Sequence, residues 1–218
     1  MHTTIIFDVD GTLLDGTEGI IKSVKYTINK LKLPELSDNQ LTLFVGPPIQ
    51  NSAKNIFKLN DNDAQEFADV FRKQYASGDV FSARVYDGIY ELLDYLKRNN
   101  IKTGVATYKR EDYAIALMKH FNFEKYFTSI CGADNNNKLS KLNILENCIA
   151  NFTLNKKEVI MIGDSLHDAE AAQKAGVEFI GVTYGFGFKT ANDVNKYPNL
   201  FYANSPIEII EKLKIQKS

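Results

Sequence analysis

Four aspartates occur in two pairs, and each pair directly follows a short apolar segment. Asp8 and Asp10 form the first pair, and Asp164 and Asp168 form the second. Because side chains alternate along a strand, Asp8 and Asp10 are predicted to point to the same side. A helix starting near Ser165 would put Asp164 at or near its N-cap and Asp168 about one turn further along. Each pair also has a simpler interpretation, as a strand-to-turn transition for the first and a helix N-cap for the second.

Carboxylates that lie close together repel one another and need a cation or a shared proton. If both pairs reach the same place, the sequence predicts a hard divalent cation there. Mg²⁺ fits because it takes oxygen ligands, typically a few carboxylates together with water and phosphate oxygens. Gly11 follows the first pair, and we expect a tight turn there whose backbone N–H groups can face an anion.

The elements that must position these acids alternate between short apolar runs and amphipathic segments. A nearly continuous apolar run is typical of a strand covered on both faces. The alternation predicts an α/β fold, a Rossmann-like parallel sheet sandwiched by helices, with ligands bound beyond the carboxyl ends of the strands. The strands are predicted at Thr4–Phe7, Lys102–Ala106, Val159–Ile162 and Phe179–Val182, and the helices between them at Gly88–Asn99, Asp112–His120, Ser140–Ala150 and His167–Ala175.

The stretch from about Gly16 to Phe81 has helical patterns but no convincing strand, which predicts a small α-helical domain inserted after the first strand. We therefore expect a catalytic core formed by residues 1–15 and 82–218 and a helical domain of residues 16–81. Ser37 is predicted to cap one inserted helix, and Asp61 or Asp63 another. The inserted helices are predicted at Glu18–Leu31, Ser37–Phe44, Ile49–Lys58 and Asp61–Ser77.

Composition limits the classes of partner. The 218 residues carry a formal net charge of −1, so no global field recruits nucleic acid or an anionic membrane. No apolar run approaches the roughly 18 residues of a membrane span, and we see no signal peptide. The two cysteines, Cys131 and Cys148, are interpreted as reduced, partly buried thiols, and no Cys/His cluster suggests zinc. We expect a cytoplasmic protein.

Four short motifs, in order along essentially the whole chain, resemble those of the haloacid dehalogenase superfamily of phosphohydrolases. The first is Asp8-Val9-Asp10-Gly11-Thr12, and the second is a threonine that ends a strand, Thr107. The third is a lysine that opens a helix, Lys141, and the fourth runs from Gly163 to Asp168. The first and fourth are specific, whereas Thr107 and Lys141 would be weak alone.

The resemblance implies an aspartyl-phosphate mechanism. Asp8 would be the nucleophile, and Asp10 would protonate the leaving alcohol and then activate water. Thr107 and nearby backbone N–H groups would hold phosphoryl oxygens, with Gly11 among the substrate-binding residues, and Lys141 would neutralise charge on Asp8 and the phosphoryl group.

The resemblance also implies a magnesium site. Mg²⁺ would be held by Asp8, the backbone carbonyl of Asp10, and Asp164. Asp168 would assist through water or by orienting Lys141. An aspartate at position 10 favours phosphoryl chemistry over dehalogenation, because a dehalogenase needs no proton donor for its leaving group.

The helical insertion resembles the family's cap, which closes over the site and carries much of the specificity. Gly46 and Pro47 are expected on a substrate-facing loop, and Tyr108 in the pocket wall. Arg84 and Lys109 could also reach the site. Hinges are expected near Leu14–Gly16 and Phe81–Arg84.

Within the family the chain most resembles the phosphoglycolate phosphatase-like subgroup, in Leu13-Leu14-Asp15 after the first motif, the Gly46-Pro47-Pro48 loop and Thr183-Tyr184-Gly185-Phe186-Gly187. This resemblance makes a small phosphorylated metabolite the expected partner of a monomer or homodimer. The alternatives within enzymes are a 5′-nucleotidase, a pyrophosphatase and a β-phosphoglucomutase-like phosphotransferase. The non-enzymatic alternative is a phosphate-ligand binding protein, which would usually have lost one of the acids retained here.

Overall fold

A six-stranded parallel sheet forms the centre of the molecule. The computed structural model describes residues 2–136, 138–152 and 155–215. The strands of the sheet are β1 (Thr4–Phe7), β4 (Lys102–Arg110), β5 (Phe127–Ala133), β6 (Val159–Gly163), β7 (Glu178–Val182) and β8 (Phe201–Ala203). They lie in the order β5-β4-β1-β6-β7-β8, and this sheet confirms the predicted α/β class.

Helices cover both faces of the sheet, as the apolar strands require. Ile5 and Phe7 of β1 pack into the hydrophobic cluster on one face, and Ile6 packs into the cluster on the other. The helices of the core are α5 (Ile89–Arg98), α6 (Glu111–His120), α7 (Lys141–Ala150), α8 (Leu166–Ala175), the short α9 (Ala191–Val194) and α10 (Pro206–Ile215). The first cluster includes side chains of α5, α6 and α10, and the second includes side chains of α7 and α8.

The helical insertion leaves and rejoins the core through a two-stranded antiparallel sheet, made by β2 (Leu14–Asp15) and β3 (Arg84–Val85). Every described residue from 16 to 81 lies in a helix or an irregular segment, as the sequence indicates. The inserted α-helices are α1 (Thr17–Leu31), α2 (Asp38–Leu41), α3 (Ile49–Phe57) and α4 (Asp61–Ala76). The division into two domains at residues 16 and 81 stays a prediction, because one hydrophobic cluster runs from this insertion into the core.

Capping explains where two of the inserted helices begin. Ser37 caps α2, and its Oγ accepts a hydrogen bond from the backbone N–H of Gln40 at 3.4 Å, as predicted. The prediction that Asp61 or Asp63 caps α4 is wrong. Asn60 takes that position, and its Oδ1 accepts from the Asp63 N–H at 3.0 Å. An amide at the N-cap satisfies the same exposed N–H groups as a carboxylate.

Two strands of the sheet are absent from the sequence-based prediction. β5 has exposed or half-buried residues among its buried ones, and β8 is only three residues long, so neither is the continuous apolar run that identifies β1 and β6. Both lie at the edges of the sheet. Within the described residues, no helix is both long and apolar enough to cross a membrane.

Candidate active site

The first acidic pair leaves the carboxyl end of β1 at the centre of the sheet. The backbone N–H of Asp8 still donates to the carbonyl of Ile162 at 2.9 Å, and the chain then turns at Gly11, where φ is +82°. The Gly11 N–H donates to the Leu14 carbonyl at 2.9 Å, so it is occupied within the turn. The Gly11 N–H is therefore not among the turn's free donors, and the role of Gly11 in substrate binding stays a prediction.

Two earlier N–H groups are better candidates for holding an anion. Among the described residues, no acceptor lies within hydrogen-bond reach of the backbone N–H groups of Val9 and Asp10. Both residues are buried, and they lie between Asp8 and the turn at Gly11. Buried donors without acceptors are costly, so a ligand oxygen bound here would satisfy them.

Asp164 follows β6 and lies against the Gly11 turn. Its Oδ2 accepts from the backbone N–H groups of Phe186 at 2.6 Å and Gly187 at 2.9 Å. A Cβ atom at Gly185 would come within 2.5 Å of the same oxygen, so the loop after β7 approaches this carboxylate only because position 185 has no side chain. The N-cap of α8 is Ser165, which places Asp164 next to the N-cap.

Lys141 joins the two acidic pairs. Its Nζ lies 2.8 Å from Asp8 Oδ1 and 2.7 Å from Asp168 Oδ1, and all three side chains are buried. The other oxygen of Asp168 accepts from the backbone N–H of Ser165 at 3.1 Å and from its hydroxyl at 2.6 Å. Asp168 is thus held by the start of its own helix and in turn holds Lys141. This contact supports the prediction that Asp168 orients the lysine.

The start of α7 explains why Lys141 points inward. Ser140 is the N-cap, and its Oγ accepts from the Asn143 N–H at 3.2 Å. The backbone N–H of Lys141 donates to the Tyr108 hydroxyl at 3.0 Å. The tyrosine predicted in the pocket wall therefore also fixes the first turn of the helix that carries the lysine.

Thr107 lies in an irregular part of β4. The pairing with β5 passes from Ala106–Cys131 to Arg110–Ala133, so three residues of β4 oppose only Gly132. Thr107 is buried, and its Oγ1 accepts from the Lys109 N–H at 3.1 Å. The prediction that the strand ends at Thr107 is wrong, because β4 continues to Arg110 beyond the bulge.

Lys109, one of the two cations that the sequence indicates could reach the site, lies beside Asp10. Its Nζ lies 2.9 Å from Asp10 Oδ2, and its side chain is only 5% exposed. Arg84, the other residue expected to reach the site, instead pairs with Asp15 at 3.4 Å on the surface of the two-stranded sheet.

The site contains more negative than positive charge. Four buried carboxylates face two buried ammonium groups, Lys109 and Lys141. Burial, reinforced by Asp168 and Asp8, raises the pKa of Asp164 to about 7. Burial also raises the pKa of Asp10, against the opposing effect of Lys109. Burial disfavours the charge on Lys141, but Asp168 and Asp8 outweigh it, so its pKa is raised.

This imbalance, with the oxygen atoms available, fits a divalent cation. One carboxylate oxygen from each of Asp8, Asp164 and Asp168 lies within 4.8 Å of the others. The Asp10 side chain is outside this group because it turns towards Lys109. Any contribution of Asp10 to a metal would therefore come from its backbone carbonyl.

Two cavities meet at the site. The larger, about 350 Å³, is lined by Asp8, Lys141 and Asp164, and the smaller, about 80 Å³, is lined by Asp10 and Lys109. Gly46, Pro47 and Tyr108 line both cavities. The inserted loop therefore reaches the site as predicted.

Comparison with known proteins agrees with this geometry. The family model for haloacid dehalogenase-like hydrolases matches residues 5–182. A 5′-nucleotidase from Pseudomonas aeruginosa is 33% identical over 187 residues, covering 85% of each chain. A phosphoglycolate phosphatase from Agrobacterium fabrum is 32% identical over 188 residues, covering 83% of this chain and 80% of that protein.

A solved structure shows the same architecture throughout. The crystal structure of a predicted phosphatase from Clostridium acetobutylicum has a TM-score of 0.91 and 33% identity, and 98% of each chain is covered. The matched family model spans all four acidic residues of the site and Lys141. This chain belongs to the haloacid dehalogenase-like hydrolase family.

Proposed function

We propose that this phosphatase depends on Mg²⁺ and hydrolyses a small phosphate monoester through an aspartyl-phosphate on Asp8. One observation carries the proposal, namely that a buried lysine holds Asp8 while a second acid, Asp10, lies two residues away on a separate cavity. This arrangement gives a nucleophile and a proton donor different environments, which is what their different tasks require.

The first step would transfer the phosphoryl group. A carboxylate oxygen of Asp8 forms a bond to phosphorus, and the bond from phosphorus to the leaving oxygen breaks. Asp10 gives its proton to that oxygen, which departs as the alcohol. In the second step Asp10 takes a proton from water, the water oxygen bonds to phosphorus, and the bond to Asp8 breaks.

Other groups of the chain would hold the transferred phosphoryl group. Lys141 faces Asp8 and supplies a fixed positive charge, and Thr107 and the unpaired N–H groups of Val9 and Asp10 are donors to phosphoryl oxygens. Donors fixed in advance stabilise the developing charge without reorganisation. Gly46, Pro47 and Tyr108 would contact the substrate from the walls of the two cavities.

The magnesium ligands would be Asp8, Asp164 and the backbone carbonyl of Asp10. Asp168 belongs to the same oxygen cluster, but Ser165 and Lys141 already engage it, which favours a contribution through water. Bound Mg²⁺ would supply charge neutralisation between the anionic nucleophile and the anionic phosphate.

Phosphoglycolate is the substrate we would test first. The cavity on the Asp10 side, where the leaving group would lie, is only about 80 Å³. That volume favours a leaving group of a few heavy atoms, such as glycolate, over a nucleoside. The likeness to a 5′-nucleotidase makes nucleoside monophosphates the second candidate.

A substrate panel with and without Mg²⁺ tests the proposal. The panel contains phosphoglycolate, nucleoside monophosphates, pyrophosphate, a sugar bisphosphate and a chromogenic aryl phosphate, and Asp8→Asn is the control. We expect Mg²⁺-dependent phosphate release that Asp8→Asn abolishes, with kcat/KM highest for phosphoglycolate. Activity without divalent metal, or full activity in Asp8→Asn, would refute the mechanism. Isomerisation of a sugar monophosphate when the sugar bisphosphate is added would instead indicate a mutase.

A further inference from the structure

A buried chain of polar contacts connects Asp10 to the inserted helices. Lys109 Nζ lies 2.9 Å from Asp10 Oδ2 on one side and donates to the Tyr75 hydroxyl at 2.8 Å on the other. The side chains of Lys109 and Asp10 are 5% and 11% exposed, and Tyr75 is 2% exposed. A lysine buried this deeply needs fixed partners, and these two are the partners that the described part of the chain provides for its ammonium.

Both ends of this chain are held in place by the fold. Lys109 leaves β4 inside the bulge opposite Gly132, where a Cβ atom would come within 2.6 Å of the Lys109 carbonyl. Tyr75, near the end of α4, stacks on Phe71 with ring centroids 5.3 Å apart and meets the edge of Tyr113 at 5.4 Å. The ammonium is therefore placed by a backbone irregularity on one side and by packed aromatic rings on the other.

We propose that Lys109 is a positioning residue for Asp10, and that the Tyr75 hydroxyl of α4 holds the Lys109 ammonium in place for this role. The proposal rests on the proposed function, in which Asp10 exchanges a proton with the leaving oxygen. Lys109 holds Oδ2 and so fixes the rotation of the carboxyl group, while Oδ1 has no hydrogen-bond donor among the described residues. A mechanism that relies on proton transfer needs this orientation, because a misplacement of about 1 Å can cost about 10²-fold in rate.

The same contacts make the insertion part of the catalytic arrangement. Asp10 and Lys109 belong to the core, whereas Tyr75 belongs to the inserted α4. Asp10 is therefore fully held only when α4 has its present position against β4. Substrate turnover would depend on this position even for substrates too small to touch α4.

The test compares two leaving groups in Lys109→Met and Tyr75→Phe. p-Nitrophenolate departs as an anion and needs no proton from Asp10, whereas glycerol must be protonated as it leaves 2-glycerol phosphate. The measurement is the single-turnover rate of alcohol release from each ester with enzyme in excess and Mg²⁺ present. Asp10→Asn is the reference for the loss of proton donation.

We expect Lys109→Met to slow release of glycerol by about 10²-fold and release of p-nitrophenolate by less than about 5-fold. Tyr75→Phe removes one hydroxyl from a packed ring, and it should show the same asymmetry at about 3- to 10-fold. Asp10→Asn should show it most strongly. The Tyr75→Phe variant also keeps the test valid if Lys109→Met does not fold.

An equal loss with both esters in Tyr75→Phe and Lys109→Met would overturn the inference, because a structural role does not distinguish leaving groups. Unchanged rates in both variants would overturn it as well. Glycolate release from phosphoglycolate takes the place of glycerol release if 2-glycerol phosphate is not hydrolysed. If the unmutated protein hydrolyses none of these esters, the proposed function fails instead, so the two failures are distinguishable.

Discussion

Replacing Gly16 by alanine should slow catalysis through a single contact with Asp10. A Cβ atom at position 16 would lie 2.5 Å from Asp10 Oδ1 and 3.7 Å from the Cδ1 of Ile20. Gly16 has φ −92° and ψ 8°, a conformation that alanine also adopts, so the backbone is not strained by the change. The only close obstacle among the described residues is the carboxyl group that we assign to proton transfer.

The size of the effect follows from this distance. An ordinary contact begins near 3.4 Å, so the Asp10 carboxyl must move by about 0.9 Å. A displacement of about 1 Å at a catalytic group can cost about 10²-fold, so we expect kcat to fall by about 10- to 100-fold, equivalent to roughly 1.4–2.7 kcal/mol of barrier. The assay is steady-state hydrolysis of an alkyl phosphate with Mg²⁺, and Tm is measured alongside.

Gly176→Ala provides the matched control, because it should lower stability without lowering kcat. Gly176 ends α8 with φ +73°, and a Cβ atom at this position would have no neighbour within 4 Å among the described residues. Alanine there should lose about 1 kcal/mol of stability through backbone strain and leave kcat unchanged. Unchanged kcat in Gly16→Ala, or a loss of kcat in Gly176→Ala as large as that in Gly16→Ala, would refute the reasoning.

Three further predictions concern charge in the site and packing in the insertion. Lys141→Met should lower kcat by at least about 10²-fold, as measured by phosphate release, because it removes the fixed charge that faces Asp8 and Asp168. Without metal, Tm should fall as pH rises from about 4 to 7, because the raised pKa of about 7 keeps Asp164 protonated in the folded protein over a range in which the unfolded chain has already lost that proton. Calorimetry with and without EDTA should show that Mg²⁺ raises Tm more at pH 8 than at pH 5, and that Asp164→Asn flattens the pH dependence. Asp79→Ala should lower the free energy of unfolding by about 2–3 kcal/mol in denaturant titrations, because the buried Asp79 carboxylate accepts from Ser23 and Gln74 at 2.9 Å and its loss leaves both donors unsatisfied.

The sequence identifies the groups that stand at the ends of buried strands. Asp8 and Asp164 follow β1 and β6, which pair directly, so a parallel sheet brings their carboxylates to one edge. Continuous apolar runs make such strands recognisable without a structure. The predicted family, fold class and phosphatase activity are confirmed by the sheet and by the comparisons with known proteins.

The contacts that orient these groups could not be predicted in the same way. The N–H groups that hold Asp164 come from Phe186 and Gly187, more than twenty residues further along the chain, and a backbone donor has no residue type to recognise. Lys109 reaches Asp10 only because β4 bulges opposite Gly132. Such irregularities depend on tertiary packing, which a residue pattern does not contain.

Which N–H groups of the Gly11 turn are free could not be predicted either, for a related reason. A glycine with positive φ was correctly placed in a tight turn, but its N–H closes that turn on Leu14. Among the described residues, the N–H groups of this turn that lack an acceptor are those of Val9 and Asp10. Neither residue type indicates that its backbone N–H is free. Deciding which N–H is free required the hydrogen bonds of the turn itself.

Rapid-quench phosphorylation tests the central claim most directly. The protein is mixed with Mg²⁺ and a labelled aryl phosphate, whose leaving group needs no proton from Asp10. The reaction is quenched in acid within the first turnover, the protein is digested, and the peptide that contains Asp8 is analysed by mass spectrometry. The unmutated protein and Asp10→Asn are compared, because loss of the base in the second step should make the intermediate accumulate. We expect one phosphoryl group on Asp8 in both, with more in Asp10→Asn. Turnover of substrate by a preparation whose Asp8 peptide never carries phosphate would contradict the account.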